Sequence, residues 1–134
     1  MAKRRKFDVV DVSDIEYASK EFAPFGRFLM RALRNHGYDL RQGDTPRKER
    51  SFIKEFALRH GLLYQTLWVA ATGQSIPKDD FVVAVGKALG LSREGVFVMV
   101  LLAHQAKTPD PYRALYGPLI AAGAAEAGVS ELLG

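Results

Sequence analysis

What most limits how this chain folds is its punctuation by glycine. Gly37, Gly61, Gly73 and Gly90 each close a stretch whose apolar residues recur at helical spacing. Glycine reaches the left-handed conformation that ends a helix without a steric penalty. The starts are marked as well: Pro24, Thr45-Pro46, Pro77 and Ser92 suit a helical first turn or its cap. Chains built this way fold as short helices packed on one another.

The segments read as follows. Ser13 and Glu16 have capping-box spacing and open a short helix that ends at Pro24. From Pro24 to Gly37, Phe25, Phe28, Leu29, Ala32 and Leu33 form one apolar stripe, with Arg27, Arg31 and Arg34 on the other face. The next helix spans Pro46 to His60, basic in its first half and lined by Phe52, Ile53, Phe56 and Ala57 in its second. Leu62 and Leu63 lead into a helix from Tyr64 to Thr72. Pro77 starts another, with Asp79 and Asp80 in the first turn, where the helix dipole favours carboxylates. Its core residues are Phe81, Val82, Val85 and Leu89. Ser92 caps a helix running to about Ala106 that is apolar nearly all round, as in a core or an interface. Pro109 and Pro111 break the chain, and a last helix covers residues 112–125, kinked or split at Gly117-Pro118. Gly128 to Gly134 read as a turn or frayed end. Strand-like composition occurs only over residues 7–12, so the fold class is all-α.

Composition removes whole classes of function. The chain has 134 residues, which suits one domain, and no cysteine, which excludes disulfide scaffolds, Cys-ligated zinc fingers and thiol enzymes. The longest unbroken apolar run, Val96 to Ala103, is far short of the ~20 residues a membrane span needs. Lys3 to Lys6 have no apolar segment behind them, so no signal peptide is read and the expected location is the cytoplasm. His36, His60 and His104 lack metal-site spacing and read as surface or capping residues. Asp79-Asp80 reads as a helix-start pair and not a catalytic dyad. With no phosphate loop, nucleophile elbow or acid/base cluster, neither an enzyme nor a cofactor nor a small-molecule substrate is expected.

The net charge of +4 is unevenly placed. Residues 1–60 hold 14 Lys+Arg against 9 Asp+Glu, and residues 61–134 hold 5 against 6. A basic half of this kind points to a polyanionic partner.

The segment Ser51 to Ser92 carries the most information. Two short helices joined by a glycine-containing turn form the helix-turn-helix arrangement, in which the turn sets the angle between a helix on the DNA backbone and one in the major groove. The run Phe56-Ala57-Leu58-Arg59-His60-Gly61, Thr66-Leu67, Thr72-Gly73, Pro77, Phe81 and Ala88-Leu89-Gly90-Leu91-Ser92 resembles the Cro/repressor-like helix-turn-helix family of bacterial and phage regulators. The resemblance covers roughly residues 25–105 and is strongest over 51–92. It implies a lambda repressor-like bundle over residues 13–106, with residues 1–12 a basic arm and residues 107–134 a helical extension. Ala57 would be the small residue under the recognition helix, Gly61 the turn and Leu67 the buried position of that helix. It also implies a transcriptional regulator of double-stranded DNA, in the manner of a phage or mobile-element repressor. The chain departs from the family in carrying about ten extra residues between Tyr38 and Ser51, and in having no Arg or Lys from Gly61 to Gln74.

On this reading Tyr64, Gln65, Thr66, Trp68, Val69 and Thr72 face the bases. Gln pairs well with adenine, and apolar groups meet the thymine methyl. Lys3, Arg4, Arg5 and Lys6 form an arm on the duplex, and Arg47, Lys48 and Arg50 meet phosphates, contacts that position without specifying. The alternative is a protein-binding regulator, antiactivator or antitoxin-like, that uses the apolar helix around Trp68. Leu115, Tyr116, Leu119 and Ile120 either cover the same core or form a homodimer, which would suit two half-sites about one helical turn (~34 Å) apart.

Overall fold

The computed structural model describes residues 20–37 and 46–133, giving the backbone alone for 46–52. Within these residues all regular structure is helical. The order is α1 (Ala23–Asn35), α2 (Pro46–Arg59), α3 (Tyr64–Ala71), α4 (Asp79–Ala88), α5 (Arg93–Lys107) and α6 (Tyr116–Ala127). One 3-10 turn, Tyr112–Leu115, precedes α6 and another, Ser130–Leu132, follows it. The arm at residues 1–12 and the helix expected from Ser13 lie outside the described residues.

The glycine stops act as the sequence demands. Gly61 has φ +68. The next amide, Leu62 N–H, reaches back to the Ala57 carbonyl at 2.8 Å, and Gly61 N–H to that of Leu58 at 3.4 Å. These two bonds satisfy carbonyls that the end of α2 would otherwise leave bare. The start of α5 is capped as its sequence predicts: the Ser92 hydroxyl accepts from Gly95 N–H at 3.2 Å.

α5 is the hub, contacted by α1, α4 and α6. α3 lies against α1 and α2. The core joins Phe25, Phe28, Leu29, Met30 and Leu33 of α1 to Ile53 and Phe56 of α2, Leu67 of α3, Val82 and Val85 of α4, and Met99 and Leu102 of α5. Two crossings are close because glycine sits in them. A Cβ on Gly86 would lie 2.9 Å from Val96 Cγ2, and one on Gly123 would lie 3.0 Å from Val98 Cγ2.

The C-terminal region sharpens the expectation in two ways. Of the kink or split expected in residues 112–125 the structure has the split, placed just ahead of Gly117-Pro118, between a 3-10 turn and α6. Pro118 is the reason: without an N–H it fits only a helical first turn, so α6 begins at Tyr116. The expected turn or frayed end is an ordered anchor, with Leu132 buried in the core and the final turn against α1. Arg31 secures it, donating from Nη1 to the Leu132 carbonyl at 3.3 Å. Ile120 and Ala124 also enter the common core, so residues 107–133 pack on the helices before them.

Candidate nucleic-acid interface

α2 and α3 are joined by four residues, His60 to Leu63, turned by Gly61. Ala57 is buried on α2, a helix that contacts α3, and Leu67, Ala70 and Ala71 root α3 in the core. Three buried residues along eight fix which face of α3 points out.

The expected base-reading residues divide by exposure. Gln65 is exposed, and Thr66, Trp68 and Val69 are half-buried. Tyr64 is half-buried with its hydroxyl oxygen turned inward, away from solvent. Its ring lies 6.2 Å from that of Trp68. Thr72 follows the end of α3 and is engaged locally, donating to the Trp68 carbonyl at 2.9 Å and accepting from Gln74 Nε2 at 2.8 Å. The outward surface of α3 is therefore centred on Gln65, edged by Thr66, Trp68 and Val69.

The side chains expected on phosphate are not among the described ones. Lys3, Arg4, Arg5 and Lys6 lie outside the described residues, as do the side chains of Arg47, Lys48 and Arg50 on α2. The structure adds Lys54, exposed on α2 with its ammonium 6.0 Å from the Tyr64 ring centroid. Lys54 follows Arg47 by seven residues and Arg50 by four, a spacing that puts three positions in one helical row. That spacing was the available signal for it. Arg59, also exposed, is held by Glu55 at 3.0 Å. A pair this exposed contributes little to stability and is readily exchanged for another anion.

Apolar surface borders the turn. Leu58 is 75% exposed and Leu63 71%. Beside them a shallow depression is lined by Gly61, Leu62, Leu63, Asp80, Phe81 and Ala84. Asp79 of α4 is engaged by His104 of α5, whose Nε2 lies 2.9 Å from both carboxylate oxygens. His36 contacts the Leu89 carbonyl, and the His60 ring stacks against Phe56 at 4.6 Å. Among the described residues no three His, Asp or Glu side chains are grouped to hold a metal ion, and no helix is long and apolar enough to cross a membrane.

No family model, curated protein or solved structure matches the chain.

Proposed function

We propose that this chain is a sequence-specific double-stranded DNA-binding regulator with a lambda repressor-like helix-turn-helix bundle, acting as a repressor in the cytoplasm. The observation that carries the reading is the presentation of Gln65. It stands exposed on a short helix whose opposite face is buried and whose entry is set by the Gly61 turn. An amide there suits bidentate pairing with adenine in the major groove, and Val69 and Trp68 suit contact with thymine methyls. α3 itself is uncharged, so affinity comes from the cations around it: Lys54, Arg47, Lys48, Arg50 and the arm Lys3 to Lys6. The repressor role, in a phage or mobile-element switch, rests on the resemblance of residues 51–92.

The test is DNA affinity across salt, on random duplex and on duplex from the region upstream of the chain's own coding sequence. The expected outcome is a steep fall of affinity with salt on both, and tighter binding to a site within the upstream duplex. Absence of binding at low salt would sink the proposal.

A second reading is favoured by Leu58 and Leu63, which expose two large apolar side chains beside the turn. It makes the same surface a docking site for a protein, as in an antiactivator. Under that reading Leu63→Ser abolishes partner binding. Under the first reading it leaves the salt slope unchanged.

A further inference from the structure

The hydroxyl of Thr72 is occupied within the chain, donating its one hydrogen to the Trp68 carbonyl at 2.9 Å. Its Oγ1 can then only accept, so the amide atom that meets it at 2.8 Å is the donor Nε2 of Gln74. That bond fixes which way the Gln74 amide is turned. The main chain of Gln74 is fixed as well. Gly73 turns at φ +74, and Gln74 N–H donates to the Val69 carbonyl at 2.9 Å. Gln74 is nevertheless exposed.

We propose that Gln74 is a second base-reading residue, selecting an A·T pair in addition to the one that Gln65 selects; this rests on the DNA-binding reading above. Three features point to it. Thr72 follows Gln65 by seven residues, close to two helical turns, so the two positions share one face of α3. An amide tied to the Thr72 hydroxyl therefore lies on the Gln65 face. With one N–H given to Thr72, that amide keeps a second N–H and its carbonyl oxygen. These complement N7 and the N6 amino group of adenine in the major groove. Finally, a glutamine free in solvent loses rotamer freedom on contact, whereas Gln74 has lost it already on folding, which favours contact.

The spacing sets what the DNA site contains. The seven residues from Gln65 to Thr72 rise about 10 Å along the helix. Base pairs step by about 3.4 Å along the duplex. The adenines read by Gln65 and Gln74 therefore stand about three base pairs apart. Thr72 is a positioning residue in this arrangement, acting on the base through the Gln74 amide that it holds.

The experiment selects bound sequences from a pool of random duplexes with the full chain and with Gln65→Ala, Gln74→Ala and Thr72→Val. Wild type is expected to enrich duplexes holding two A·T pairs about three steps apart. Gln74→Ala should keep one of these pairs and lose the other, binding the wild-type site about tenfold more weakly. Gln65→Ala should show the reverse. Gln74 is exposed, so the circular dichroism and unfolding midpoint of Gln74→Ala should match wild type. Thr72→Val should relax the same base pair as Gln74→Ala, and Thr72→Ser, which keeps the hydroxyl, should restore it. If Gln74→Ala enriches the wild-type sequences, or weakens every duplex alike as a phosphate contact would, this proposal is overturned while the DNA-binding reading stands. If wild type itself enriches no sequence, that reading fails and this proposal falls with it.

Discussion

His36 Nε2 lies 2.6 Å from the carbonyl oxygen of Leu89, joining the end of α1 to the end of α4 across 53 residues of sequence. The carbonyl lies just past the last turn of α4, where acceptors lack intrahelical donors. An N–H from the imidazole supplies one. Replacing His36 with Ala should cost about 0.5–1.5 kcal/mol and lower the unfolding midpoint by a few degrees. His36→Gln, which keeps a donor, should recover part of the loss. Equal midpoints for wild type and His36→Ala would make the contact incidental.

Gly86 tests which of two opposed effects is larger. Alanine is the better helix former by about 1 kcal/mol. Its Cβ would lie 2.9 Å from Val96 Cγ2, however, and overpacking costs about 1–3 kcal/mol. Gly86→Ala should therefore destabilise. In a Val96→Ala background the same change should be neutral or stabilising, and the double-mutant cycle should show coupling of at least about 0.5 kcal/mol. Additive effects in chemical denaturation would exclude the clash.

Leu132 separates an anchor from a frayed end. Its side chain is 3% exposed, so Leu132→Ala should cost about 2–5 kcal/mol by equilibrium unfolding. Leu119→Ala, of the same chemistry on the bare face of α6, should change monomer stability by less than about 0.5 kcal/mol. A similar small effect at both positions would contradict the packing of the final turn on α1.

Gln65→Ala should leave stability within about 0.5 kcal/mol of wild type, because the side chain is exposed. On DNA it should reduce preference for the specific site by about 1–3 kcal/mol while leaving random duplex and the salt slope unchanged. If both duplexes weaken together, Gln65 does not read bases. Lys54→Ala should give the opposite pattern, with uniform weakening and a salt slope smaller by about one.

How much of this was legible in the sequence depended on how local the cause was. Gly61, Gly90 and the Ser92 cap are written within six residues of the bonds they make, and their positions could be read directly. The stripe of α1 was equally plain, since Phe25, Phe28 and Leu33 repeat at helical spacing. Leu132 was not legible. The segment after Gly128 is too short for periodicity, and its partner Arg31 is 101 residues away. Arg31 itself was read by spacing as belonging to a polar face, yet it holds the final turn through a backbone carbonyl. At the candidate interface, periodicity found α3 and its buried Leu67. It did not separate Gln65, which points out, from Tyr64, whose hydroxyl points in, because adjacent residues on a short helix are distinguished only by what packs beside them.

The contact between α1 and the final turn also has a consequence for synthesis. The flank of α1 that Leu132 covers is made more than a hundred residues before its cover. Ribosomes add about 5–20 residues per second, so the first helix waits seconds with that flank open, and longer while Leu132 remains inside the exit tunnel. That flank of α1 closes only once the turn carrying Leu132 has emerged from the ribosome.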